Sequence, residues 1–134
     1  MGTDDYASVL NWLPSADRAA VLGRLEGRPG SYGVIDGDAV HDAGSMFAHF
    51  GEVLFRAPVT NWAQFEDLLH QYVARSGPEY ALVWCDAGRM LDRAVPTLVD
   101  VGDVFFRTAR SARGWGGRFR VFFLGEGPNF SSQR

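Results

Sequence analysis

The sequence predicts an α/β fold: a small parallel sheet of three strands packed with helices, preceded by a helical N-terminal extension. Three observations predict it. Tyr80 to Cys85 is an unbroken apolar run of strand length, as expected of a strand covered on both faces. Two other short runs, Tyr32 to Ile35 and Arg118 to Leu124, are rich in β-forming residues. Between successive runs lie pairs of helical stripes, and helical connections favour parallel strands joined by right-handed crossovers.

Residues 1–30 read as an extension in front of the main body. Tyr6, Val9, Leu10 and Leu13 recur at helical spacing until Pro14 ends the segment. Ser15 is placed to cap a second short helix with Ala19, Val21, Leu22 and Leu25 on one side, ending near Gly27. Arg28-Pro29-Gly30 is a break and a domain boundary. The body spans residues 31–125. Its first strand, Tyr32 to Ile35, runs into the turn pair Asp36-Gly37. Ser45 then opens a helix that buries Met46, Phe47, Phe50, Val53 and Leu54, and Pro58 separates it from a helix capped by Thr60. After the central strand, Asp86 caps a short helix through Leu91 that Pro96 stops. Thr97 starts the longest helix, with Leu98, Val101, Phe105, Ala109 and Ala112 facing inward. Arg107, Arg110 and Arg113 lie toward the negative end of its dipole, and Gly114-Trp115-Gly116-Gly117 ends it. Arg118 to Leu124 is the last strand, and residues 126–134 form a loose polar tail.

Composition sets the class. An apolar share of 46% in 134 residues suffices for one packed core and argues against disorder. The net charge of −3 disfavours binding nucleic acid over the whole surface. All 13 basic residues are Arg, which points to a GC-rich coding sequence such as an actinobacterial one. Cys85 has no partner cysteine, which fits a reducing cytosol. No apolar run approaches the ~20 residues of a membrane helix. The acidic N-terminus, with Asp4 and Asp5, is unlike a signal peptide. A cytoplasmic location is therefore expected.

The most informative stretch is Asn61 to Leu69, N-W-A-Q-F-E-D-L-L. Trp62, Phe65, Leu69, Tyr72 and Val73 give one buried stripe, while Ala63, Asp67, His70 and Gln71 fall on another face. An aromatic-seated helix with an acidic outer face suits gripping another protein. Catalytic chemistry of comparable density does not occur elsewhere. Cys85 lies within an apolar strand, where thiols are inert. His41, His49 and His70 do not share a ligand spacing with Cys85. Asp36, Asp38 and Asp42 lack the glycine and bidentate Glu of a calcium loop and read as a solvated turn. Gly23, Gly27, Gly30 and Gly33 do not follow a strand as a phosphate loop does. Neither an enzyme activity nor a cofactor or metal is expected.

With these motifs in this order, the chain resembles the barstar family of small intracellular ribonuclease inhibitors over residues 32–125. The markers are V-I-D-G (Val34 to Gly37), the Asn61 to Leu69 helix and L-V-W-C-D (Leu82 to Asp86). V-F-F-R-T-A-R (Val104 to Arg110) and the F-R-V-F-F-L strand complete the set. The resemblance implies an immunity protein that plugs the active site of a cognate secreted nuclease toxin with the helix from Asn61 to Tyr72. A carboxylate on such a helix satisfies the cations that hold phosphate in the cleft. By that match Asp67 is the central inhibitory carboxylate, and Asn61 and Trp62 form the start of the binding helix. Ala63 and Thr108 occupy two positions where the family carries acids, and the loop Ala57-Pro58-Val59 is shorter than usual. Those departures imply either a different toxin or a contact surface redistributed onto Glu66, His70 and the N-terminal extension. The expected partner-binding set is Asn61, Trp62, Ala63, Glu66, Asp67, His70 and Thr108.

A rival reading concerns Arg107, Arg110, Arg113, Arg118 and Arg120, interleaved with Trp115 and Phe119. Cations alternating with aromatics can bind single-stranded nucleic acid or serve a regulatory contact. Helix-end electrostatics explains half of this cluster, and protection of an exposed sheet edge explains the strand's arginines. Nucleic acid is therefore not the expected partner.

Overall fold

The computed structural model describes residues 9–27 and 31–125. Its centre is one parallel sheet of four strands in the order β1-β4-β3-β2. The strands are β1 (Leu10–Leu13), β2 (Ser31–Asp36), β3 (Glu79–Cys85) and β4 (Arg118–Leu124). The α-helices among the described residues are α1 (Arg18–Glu26), α2 (Ala43–Phe50), α3 (Trp62–Arg75), α4 (Gly88–Arg93) and α5 (Val95–Gly114). Alternation along the strands divides the interior in two. Ile35, Leu82, Trp84, Phe119, Val121 and Phe123 meet α2, α3 and α5 in the larger core, with Phe50, Phe65 and Phe105. Val83, Cys85 and Leu124 meet Val21 of α1 in a smaller one. Among the described residues, no helix is long and apolar enough to cross a membrane.

The expected three-stranded sheet is corrected to four strands. Leu10–Leu13 is a strand, not part of a helix, and pairs in register with β4 from Leu10↔Val121 to Leu13↔Leu124. The Val121 amide donates to the Val9 carbonyl at 2.7 Å, and the Gly125 amide to that of Leu13 at 3.0 Å. The spacing of Val9, Leu10 and Leu13 suits either period over so few residues, and the open side of β4 decides between them. Leu10 and Trp12 pack against the larger core, and Trp12 stacks on Phe123 with centroids 5.3 Å apart. These residues thus belong to the sheet. Tyr6, the Arg28-Pro29-Gly30 break and the tail at 126–134 lie outside the described residues.

The helix starts differ from expectation for local reasons. A short 3₁₀ turn, Ser15–Asp17, precedes α1, and Ser15 is not its cap. Asp42, not Ser45, caps α2. The Ser45 amide donates to Asp42 Oδ1 at 2.8 Å, and the Asp42 amide to Ser45 Oγ at 3.0 Å, a reciprocal capping box. Asn61, not Thr60, caps α3. Asp86 does not cap α4; it takes a left-handed conformation at φ 52°. Pro96 sits in the first turn of α5, where a missing N–H costs nothing.

Candidate functional site

The outer face of α3 is held in place from beneath and from its N-terminal side. Asn61 Oδ1 accepts the Gln64 amide at 2.8 Å. Gln64 Oε1 in turn accepts the Thr60 amide at 2.8 Å and the Thr60 hydroxyl at 3.1 Å. These bonds satisfy donors that a helix start otherwise leaves unpaired. The chain enters through a single π-helical turn, Gly51–Phe55, that reverses at Arg56 with φ 56°. Gly51 is required there, because a Cβ would stand 2.5 Å from the Ala57 carbonyl oxygen. Beneath the helix, Phe65 is fully buried and meets Phe50 edge to face at 4.9 Å. Trp62 is half-buried, edge-on to Phe47 at 5.0 Å. Its ring locks the helix start onto the core, so less of it is available to a partner.

Above this seat, Ala63 and Asp67 are exposed, and Glu66 and His70 half-buried. Asp67 makes no ion pair among the described residues. Glu66, its neighbour, is fully engaged. Arg107 of α5 donates from Nε to Glu66 Oε2 at 2.8 Å and from Nη2 to Oε1 at 2.9 Å, a two-pronged bridge between the helices. The hydrogen bonds from Arg107 hold the Glu66 carboxyl below its usual range against the opposing effect of burial. The same contact raises Arg107, and the nearby Asp103 adds to that shift. His70 Nε2 lies 3.5 Å from Glu66 Oε2. In sequence Arg107 stands among the helix-end cations and the basic–aromatic cluster, and no local signal joins it to Glu66, 41 residues earlier.

Thr108 must be removed from the contact set. It is 1% exposed and donates its hydroxyl to the Val104 carbonyl at 2.8 Å, inside the packing of α5 on the sheet. The remaining expected positions, Asn61, Trp62, Ala63, Glu66, Asp67 and His70, come together on α3 and its cap.

A second set of polar groups lies at the carboxyl ends of the strands, where parallel sheets commonly hold ligands. A cleft of about 330 Å³ there is lined by Ser15, Asp86, Arg89, Asp92 and Arg93. Asp36, Asp38 and Asp86 approach closely enough to share a cation. Asp42, grouped with the first two in sequence, is instead the α2 cap. All three carboxylates are exposed, and Asp38 is bridged by Arg89 at 2.8 Å. The segment after β1, Pro14 to Asp17, has no glycine and does not form a phosphate-cradling loop. Cys85 is 5% exposed, and burial pushes its thiol up, away from the reactive thiolate.

No protein-family model matches the chain, and no curated protein matches it. Among solved structures it is similar to Cdc6p from Pyrobaculum aerophilum, with 18% sequence identity and a TM-score of 0.56. The match covers 89% of this chain and 32% of that one, so the chain spans about a third of that protein's length. At this identity the likeness speaks for an α/β fold with a helix-packed parallel sheet.

Proposed function

We propose that this chain is a barstar-like immunity protein that binds and blocks a cognate nuclease toxin, acting in the cytoplasm without enzymatic activity of its own. The observation that carries the reading is Asp67. Its carboxylate is exposed on a helix whose other side is fixed among aromatic rings, and it has no ion pair among the described residues. A carboxylate held that way is pre-positioned for cations in a nuclease cleft, and little order is lost when it binds. Glu66 contributes less as a direct contact, because Arg107 already satisfies both its oxygens. Ala63 and His70 flank Asp67, while Asn61 and Trp62 set the angle of the helix. The β2-β3-β4 block, with α2 and α3 before β3 and α4 and α5 before β4, has the element order that the motif resemblance implies.

Paired capture from host extract tests the proposal, with tagged wild type and Asp67→Arg as baits. Wild type should retain a basic protein that cleaves nucleic acid once separated from the bait, and Asp67→Arg should lose it. Retention of the same nuclease by both baits would move the contact away from Asp67. The absence of any nuclease from the wild-type capture would refute the function.

A further inference from the structure

The arginines around the start of β4 form part of a larger basic surface in the folded chain. β1 covers β4 only from Val121 to Leu124, so Arg118 and Arg120 lie on the stretch of β4 that pairs with β3 alone among the described residues. Helix-end electrostatics accounts for Arg113 in the last turn of α5, and Arg107 is spent on Glu66. The fold also adds a cation that sequence order did not suggest. Arg24 of α1 comes to the same strand through a cavity of about 120 Å³ that it lines with Arg120 and Phe122. A second cavity of about 120 Å³ is lined by Arg113, Arg118, Arg120 and Phe119. Among the described residues, neither cavity has an acidic residue in its lining. Arg24, Arg110 and Arg118 have no acidic partner among the described residues. Arg113 and Arg120 have contacts of their own, as does Glu79, which lies opposite Arg118 in the sheet.

Aromatic surface accompanies the charge. Trp115 follows α5 and is 46% exposed. Its ring lies against Gly117, where a Cβ would overlap it, so the indole rests on its own loop. The Arg120 guanidinium stands over the Phe122 ring, 5.6 Å from its centroid.

We propose that this basic end of the molecule binds single-stranded nucleic acid. Arg24, Arg118 and, one turn before the cavity-lining Arg113 on α5, Arg110 would lie along backbone phosphates, and Trp115 would offer a stacking face to a base. Arginines beside an exposed indole are the combination that grips single strands without reading their sequence. The patch shares no residue with the α3 face, so this activity stands or falls independently of toxin binding.

Fluorescence anisotropy with labelled 12-nucleotide single strands of RNA and of DNA, and with the matching duplex, tests the site on the full chain. Saturable single-strand binding of either chemistry supports it. Neutralising three phosphates predicts a roughly 20-fold loss of affinity between 50 and 200 mM salt. Arg118→Glu and, independently, Arg110→Glu on the exposed face of α5 should each weaken binding about tenfold. Trp115→Ala should weaken it at least about fivefold. Arg89→Glu, at the far end of the strands, makes the same change in net charge and should leave binding intact. The proposal is overturned by absence of saturable binding at 50 mM salt or by equal affinity for the duplex. Equal losses in Arg118→Glu and Arg89→Glu would overturn it too, because net charge alone would then explain binding.

Discussion

Asn61 and Glu66 show how single side chains prepare the α3 face without touching a partner. Asn61→Ala removes the bond to the Gln64 amide, and loss of such a cap costs about 1 kcal/mol of stability. Urea unfolding should register that loss; an unchanged midpoint would mean that Gln64 and Thr60 close the helix start by themselves. Glu66 supplies a pH signature. Its folded-state pKa lies below the ordinary value of 4.5, so the Arg107 bridge contributes fully above that value. The contribution is lost as the pH falls through the depressed pKa. Arg107 is half exposed, and solvent screening keeps the contribution under about 1 kcal/mol. Glu66→Gln should therefore be less stable than wild type at pH 7, with the gap closing toward pH 3; a constant gap would show that the bridge is not its source. The exposure of Asp67 was legible in the sequence, since a helical period that buries Phe65, Leu69 and Val73 turns position 67 outward. The inward position of Thr108 was legible too. It lies three residues after Phe105 and one before Ala109, both on the buried stripe, and only the motif match had placed it outside.

At the scale of elements, the sequence was most informative where a period persisted. β3 is an uninterrupted apolar run with both faces covered, and α5 carries its inward stripe over five turns, so both could be read directly. β1 could not. Four residues cannot distinguish a helical period from a strand, and the partner that settles the matter lies more than a hundred residues later. Its membership in the sheet has a measurable consequence. Trp12 stacks on Phe123 and donates its indole N–H to the Gly125 carbonyl at 3.0 Å. Trp12→Ala should cost about 2–3 kcal/mol, below the usual range for a buried aromatic because the ring is only half-buried. A change within about 0.5 kcal/mol would show that this segment is an appendage to the fold. The seat of α3 should prove more sensitive. Phe65 is fully buried among Phe47, Phe50, Phe55 and Trp62, and Phe65→Ala should cost about 3–5 kcal/mol in the same assay.

Across the whole molecule, the modest net charge of −3 conceals a separation of signs. Asp67 stands clear on α3, while Arg24 and Arg118 each line a cavity with Arg120 around the start of β4, and Arg110 lies one turn before Arg113 on α5. An acidic, aromatic-seated helix is suited to a cationic cleft, and a basic end bearing an exposed indole is suited to a polyanion. The parallel sheet makes both possible by packing α3 and α5 side by side on one face, where Glu66 and Arg107 join them. The central claim is that Asp67 blocks a nuclease. Its most direct test is titration of the captured nuclease with this chain, following substrate cleavage. Wild type should abolish cleavage at one equivalent. Asp67→Arg should weaken inhibition by several kcal/mol, of order 2–5, since a buried cation in the cleft would face a second positive charge. Full inhibition by Asp67→Arg at the same equivalence point would contradict the account.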